Sequence, residues 1–416
     1  MATYFIRRLL LAIPTFLGCT IVVFFIVQLA PGGPLEQQKR QLQAAAASEG
    51  GGGGGGLAGS GEQTIPPKAL EELKRYYGFD KPILERYVSW LGVWPREVDQ
   101  YSVELGEPRR VSGGQNLIVK REAEGLVVYD AESPSTRNTD WFVADKKFDD
   151  GTANIYVYKT KVSGILTGDF GTSYQYREPV IELIKRRLPV SIQFGLIGFI
   201  LAYVVALYLG IQKALEHRSK FDIISSVGIF ALNSLPGWAL GALLLMFLAT
   251  QSFLPILPLG GIQDADYDQL EIGSKIADRA IHFLLPIIAY SVTGIASLSM
   301  LMKNSLLENL GQDYVRTAFA KGLREKRVIW MHAMRNSIIP LAARAGTIIT
   351  VFLGGSFFIE YVFNIEGIGK LSYMAILARD YQIVFAFTVI GVATMLIGNI
   401  LSDLALAIVD PRIRFK

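Results

Sequence analysis

Six stretches of the chain are apolar for the roughly 20 residues that a helix needs to cross membrane hydrocarbon, and polar, charged or glycine-rich segments separate them. The first runs from Leu9 to Ala30 behind Arg7 and Arg8, and the others cover about 190–211, 223–249, 281–302, 338–359 and 383–409. The first is too long for a signal-peptide apolar region and no small-x-small cleavage site follows, which predicts a retained anchor. The pattern predicts an all-α integral membrane protein of six transmembrane helices.

Basic residues retain short loops on the cytoplasmic side. With the N-terminus inside, the inner segments collect Arg7 and Arg8; Lys213, Arg218 and Lys220; Lys303, Arg316, Lys321, Arg324, Lys326, Arg327 and Arg335; and Arg412, Arg414 and Lys416. The short outer loops, 250–280 and 360–382, hold only Lys275, Arg279, Lys370 and Arg379. Both termini are therefore expected in the cytoplasm and residues 31–187 in the periplasm. Three regions result: 1–30 with the first helix, 31–187 outside, and 188–416 with five helices and a cytoplasmic loop at 303–337.

The outer segment changes pattern along its length. Residues 44–61 are nearly all alanine, glycine and serine, with an unbroken run from Gly50 to Gly56, a composition that cannot bury a core. Short helices are expected at Pro67–Arg75 and Pro82–Leu91. From about 92 to 162, runs such as Asn116–Lys120, Leu126–Tyr129 and Ile155–Tyr158 alternate with Gly, Asp and Ser clusters, predicting a small β-rich insert between helices 1 and 2. It is either a contact for a partner protein or an elaboration of a tolerant loop.

Composition agrees with a membrane class: 51% of residues are hydrophobic and 19% charged. A net charge of +4 gives no field for nucleic acid. Cys19 has no second cysteine to pair with, and His217, His282 and His332 lie far apart without metal-ligand spacing, so no metal site is expected. The glycine run lacks a following Gly-Lys-Ser/Thr, and Gly367-Ile368-Gly369-Lys370-Leu371 fails the phosphate-loop spacing. No paired catalytic residues occur in the spans.

The most patterned polar segment is the loop 312–336. Val315, Ala318 and Phe319 recur at helical spacing, Gly322 breaks the run, and Val328, Ile329, Met331 and Met334 form a second apolar face. A helix, a bend and another helix are expected on the inner membrane surface, either as a docking surface or as a basic loop touching lipid headgroups.

Here the chain resembles the permeases of ABC importers, whose loop reads Glu-Ala-Ala, three residues, then Gly. Arg316-Thr317-Ala318 and Gly322 occupy that frame, and the Arg-Thr-Ala version with His332 and Asn336 in a His-x-x-x-Asn resembles the oligopeptide and dipeptide branch. The general Ile-x-Leu-Pro ending is absent. Tyr4–Leu10, Ala30–Pro34, Tyr77–Pro82, Gly168–Gly171, Ile359–Phe363 with Gly367-Ile368-Gly369, and Asp410–Arg414 resemble the same permeases in the same order. The wording of Gln28–Pro34 and Ile359–Phe363 most resembles the YejB subgroup, associated with peptides and the peptide-nucleotide microcin C. The glycine tract and the 92–162 insert depart from the pattern.

The resemblance implies the type I importer permease fold in a bacterial inner membrane, with the loop as a coupling helix seated on an ATPase. Asp313, Tyr314, Arg316, Thr317, Ala318, Lys321, Gly322, His332 and Asn336 are its expected docking residues. It also implies a second permease in a heterodimer, one or two ATPase subunits that hold ATP and Mg, and a periplasmic substrate-binding protein; this chain is expected to carry no cofactor and no ATPase activity.

Within the spans, Arg344 and Asp403 lie at similar depths from the cytoplasmic side and are expected either to pair or, for Arg344, to snorkel. Asn233, Ser234, Pro236 and Trp238 surround a Pro-Gly kink, which frees backbone groups tolerable beside protein or a wet path. An ion-coupled secondary transporter is the rival reading, but it wants a central acidic cluster and an inverted repeat, and neither is found.

Overall fold

A computed structural model of the protein describes residues 2–29, 80–122, 125–147, 153–346, 348–349 and 356–409. The glycine tract and the helix expected at Pro67–Arg75 lie outside the described residues. The chain divides into two compact units, Met1–Val23 with Ser173–Lys416, and Phe24–Thr172.

The first unit is helical. Its elements are the first part of α1 (Ala2–Leu29), then α3 (Val180–Leu215), α4 (Lys220–Asn233), α5 (Gly237–Leu248), α6 (Ile272–Leu310), α7 (Asp313–Ala320), α8 (Ile339–Ala345), α9 (Phe357–Val362), α10 (Ile368–Leu377) and α11 (Tyr381–Val409). Four helices among the described residues are long and apolar enough to span a membrane: Ile6–Gln28 within α1, α3, α6 and α11. The pair α4 and α5 makes a fifth if its 93° bend lies within one span. The break falls at the Pro-Gly kink expected within 223–249: Pro236 supplies no N–H, and Ser234 Oγ turns back to the Phe230 carbonyl at 2.8 Å. Part of the fifth expected span, residues 350–355, lies outside the described residues.

Close packing of α3 on α6 forms the centre. A Cβ added at Gly210 would sit 2.6 Å from Met302 Cβ, and one at Gly198 would sit 2.7 Å from the Tyr290 ring. Small residues allow this approach, the usual source of helix association where lipid removes the hydrophobic drive. Ser291 Oγ reinforces it by donating to the Gly198 carbonyl at 3.1 Å. At 39 residues, α6 is about 58 Å long at the helical rise, well beyond a hydrocarbon core of about 30 Å. Its C-terminal turns carry the polar loop away from the apolar region.

Toward the other end, Phe194, Phe283, Ile287, Ile359, Phe363 and Ile365 form an apolar cluster. Beside it, buried Glu360 accepts from Ser191 Oγ at 2.9 Å and from the Lys370 N–H at 2.9 Å, while Ser191 Oγ accepts the Ile368 N–H at 2.7 Å. The glycines that fail as a phosphate loop thus open α10 onto a buried carboxylate.

Among the described residues the second unit holds α2 (Ile83–Leu91) and seven strands: β1 (Arg96–Val103), β2 (Arg109–Arg110), β3 (Asn116–Glu122), β4 (Gly125–Asp130), β5 (Ser133–Arg137), β6 (Phe142–Lys147) and β7 (Ala153–Lys161). They form two antiparallel sheets, ordered β1-β7-β6 and β2-β3-β4-β5. Val103 and Val157 from the first sheet meet Leu117, Val119 and Val128 from the second around Trp141, the alternate-residue burial of two packed sheets. Phe24 meets Tyr87 edge to face and Trp90 at a tilt where α2 meets the end of α1.

Candidate functional site

The loop after α6 has two opposed faces. Inward, Val315 and Ala318 of α7 join Val328, Ala333 and Met334 in a cluster with Ala214 of α3, Met302 and Leu306 of α6 and Leu341 of α8. Two core helices therefore fix the loop's position. Outward, Tyr314, Phe319, Trp330 and Met331 are exposed, the last two by 52% and 62%. Exposed apolar groups gathered on a polar loop mark an interaction surface.

Local chemistry shapes this surface. α7 ends where Gly322 takes φ +78°, with its N–H on the Phe319 carbonyl at 2.9 Å and the Leu323 N–H on the Ala318 carbonyl at 3.3 Å. These two bonds make a Schellman stop, for which glycine is the unstrained residue. Beyond it, Glu325–Arg327 leads into a π-helical stretch, Val328–Ala333, and then Met334–Ser337. The wide π turn leaves a cleft lined by Tyr314, Met331, His332, Arg335 and Asn336.

Of the docking residues expected from sequence, Asp313, Tyr314, Arg316, Thr317, Lys321 and Gly322 are exposed, and His332 and Asn336 are partly covered at the cleft. Ala318 is buried and anchors the loop. Thr317 Oγ1 donates to the Asp313 carbonyl at 2.8 Å and Tyr314 Oη to Asn309 Oδ1 at 2.7 Å. Sequence reasoning missed Trp330, although an exposed indole between two buried turns is the type of residue that anchors interfaces.

Elsewhere the geometry redistributes the candidates. Asp403 pairs with Arg8 of α1 and accepts from Tyr4 Oη at 3.2 Å. Of the two alternatives for Arg344, pairing with Asp403 or snorkelling, the ion pair found at Asp403 is with Arg8 instead: the depth of two residues along their own helices says nothing of a third helix that supplies a cation. Arg344 lies on α8, exposed, with its charge felt by Tyr203. Asn233, Ser234, Pro236 and Trp238 are all exposed at the α4–α5 bend, and Trp238 lies 5.9 Å from the Phe358 ring. A second ionic feature had no sequence signal: Lys303 Nζ bonds both carboxylate oxygens of buried Asp222 at 2.6 and 2.8 Å, with Lys213 fully buried nearby. Around His282 the structure also gathers Asp264 and Asp278, a grouping invisible to the spacing of the histidines alone.

A helical membrane core with a structured loop at the end of its longest helix is the layout of a transport permease. The chain belongs to the family of binding-protein-dependent transport system inner membrane components, whose family model matches residues 195–415. It is 33% identical over 437 aligned residues to the inner membrane ABC transporter permease protein YejB of Escherichia coli O157:H7, covering 100% of both chains. It is 32% identical to the peptidoglycan transport system permease protein YejB of Agrobacterium fabrum, covering 100% of this chain and 99% of that one. To the oligopeptide transport system permease protein AppB of Bacillus subtilis it is 28% identical over the full length of both. The protein is thus a multi-pass inner-membrane permease of a binding-protein-dependent importer, a class in which ATP hydrolysis belongs to a separate subunit.

Proposed function

We propose that this chain forms half of the translocation path of an ABC importer for peptides or peptide-like compounds, and that its loop 312–336 receives an ATPase subunit. The observation that carries the reading is the two-faced loop: a buried side locked to α3 and α6, and an exposed side presenting Tyr314, Phe319, Trp330 and Met331. A surface so anchored transmits force, because displacement of the docked face moves the core helices with it.

ATP and Mg are then bound by one or two ATPase subunits. A second permease completes the path in a heterodimer, and a periplasmic binding protein delivers substrate. Both termini and the loop lie in the cytoplasm, residues 31–187 lie outside, and the spans number six, with α4 and α5 together as the third. Relatives named for oligopeptide and peptidoglycan transport support the substrate class. The exposed bend at Asn233, Ser234, Pro236 and Trp238 faces the path, and the two-sheet unit between helices 1 and 2 is the periplasmic insert.

The test is the pair Trp330→Glu and Met331→Glu in the assembled complex. Each is expected to lose co-purifying ATPase subunits and peptide uptake while the permease stays in the membrane at wild-type yield. Retention of the ATPase by both variants would overturn the docking surface.

A further inference from the structure

At the outer end of α6, three side chains converge that the coupling surface does not use. Asp278 and His282 lie one helical turn apart and share a face, and Asp264 reaches them from the preceding loop. Its backbone N–H donates to Asp278 Oδ2 at 3.2 Å, holding the loop over the helix. One ligand atom from each residue lies within 4.8 Å of the other two. The His282 imidazole is only 3% exposed and the Asp278 carboxylate 8%, whereas Asp264 is 65% exposed.

The hydrogen bonding of His282 determines what this cluster can hold. Its Nδ1 lies 2.9 Å from the Asp278 carbonyl oxygen and 3.2 Å from Asp278 Oδ1, so Nδ1 carries a proton, and in the neutral ring the lone pair is on Nε2. That lone pair faces Asp264 Oδ1 at 3.5 Å, a separation too long for a good hydrogen bond. In this tautomer both atoms are acceptors, and they repel unless a cation lies between them. A ring N–H donated to a backbone carbonyl, with the other nitrogen free to ligate, is the arrangement that orients metal-bound histidines. Ligand atoms held at about 2.0–2.2 Å from one tetrahedral ion are separated by roughly 3.3–3.6 Å, which matches the Nε2 to Oδ1 distance. Arg279, the neighbouring cation, is turned to Gln263 Oε1 at 3.2 Å and over the Tyr267 ring.

We propose that Asp264, Asp278 and His282 form a binding site for a divalent transition metal, with Zn2+ the best fit to one imidazole and two carboxylates. Asp278 Oδ1 lies against Nδ1, so the buried ligands are His282 Nε2 and the Asp278 Oδ2 that faces Asp264; Asp264 closes over the ion, leaving a fourth position to water. The metal braces the outer loop on α6. The same loop meets the α9–α10 hairpin, where the Gly261 N–H donates to the Phe363 carbonyl at 2.8 Å, so the brace extends to that hairpin.

The test uses the full-length chain carrying a non-histidine tag, purified in detergent and stripped with EDTA, then titrated with Zn2+ against a chromophoric chelator. One Zn2+ per chain is expected, bound at least tenfold more weakly by Asp264→Asn and not measurably by His282→Gln. Asp264 is exposed, so Asp264→Asn should keep the wild-type unfolding midpoint without metal and lose only the rise that Zn2+ gives the wild type. Cobalt in place of zinc should give the strong visible bands of a four-coordinate ion, absent from Asp264→Asn. Equal zinc affinity in wild type and Asp264→Asn, or no stoichiometric binding by the wild type, would overturn the site and leave His282 as an imidazolium between two carboxylates.

Discussion

Ser191 and Glu360, 169 positions apart in the chain, meet in a buried hydrogen bond of 2.9 Å that ties α3 to the hairpin of α9 and α10. Ser191 donates to the carboxylate and accepts from the first turn of α10, so one hydroxyl satisfies groups on two elements. The N-terminal amides of a helix are otherwise unpaired and electropositive, which suits the buried acid.

Gly367 tests this junction. A Cβ there would lie 2.3 Å from Glu360 Oε2 and 2.6 Å from Ser191 Oγ, so Gly367→Ala is expected to destabilise the permease by about 1–3 kcal/mol through overpacking. Ser191→Ala should cost a similar ~1–3 kcal/mol by orphaning buried partners. Thermal unfolding in detergent measures both; a wild-type midpoint for Gly367→Ala would remove the junction from the stability of the core.

The buried cluster of Asp222, Lys303 and Lys213 contains more positive than negative charge, which makes its members unequal. Asp222→Asn leaves two buried lysines without their carboxylate and is expected to cost about 3–5 kcal/mol, the range for breaking a buried ion pair. Lys303→Met leaves Asp222 with Lys213 and His217 nearby, and should cost less. Equal losses of folded yield from the two variants would mean that Lys213 does not share the charge.

Asp403 and Arg8 should be coupled. A double-mutant cycle with Asp403→Asn and Arg8→Gln is expected to give an interaction of at least about 0.5 kcal/mol, and exchanging the two charges should restore membrane yield lost in the single variants. Additive single effects would place the cation of Asp403 elsewhere.

Gly322 isolates backbone strain from packing, since nothing lies within 4 Å of a Cβ added there. Gly322→Ala should cost about 1 kcal/mol at its positive φ, and Gly322→Asn less, because asparagine tolerates the left-handed region. Identical unfolding midpoints for the alanine and asparagine variants would show that the Schellman stop is not strained.

In the second unit, burial acts to raise the Asp169 carboxyl, but the Gly171 N–H at 3.0 Å and the Arg96 guanidinium at 2.7 Å outweigh it and hold the group below the usual carboxylate range. A depressed folded value means that the unfolded chain takes the proton first. The stabilisation is therefore present above the ordinary carboxylate value of about 4 and is lost as pH falls through the lower folded value. Unfolding midpoints across that acid window should fall less steeply for Asp169→Asn than for the wild type.

Hydropathy made four of the expected spans legible, Ile6–Gln28, α3, α6 and α11, because exclusion of unsatisfied backbone from lipid is a local requirement wherever about 20 apolar residues run together. Gly322 was readable as a bend, and Val315, Ala318, Val328, Ile329 and Met334 as apolar faces, because helical periodicity and left-handed backbone are properties of neighbours in sequence; that Phe319 and Met331 turn outward instead was not readable. The strands at Asn116–Lys120, Leu126–Tyr129 and Ile155–Tyr158 were visible as short runs, whereas their sorting into two sheets depended on pairing across dozens of residues. Only the tertiary structure decided that Arg8 takes Asp403, that Lys303 holds Asp222, that Glu360 caps α10, and that Asp264 and Asp278 gather at His282. Burying a charge is costly enough that each must find a partner, but which partner depends on how the helices pack, and one sequence position carries no record of that distance.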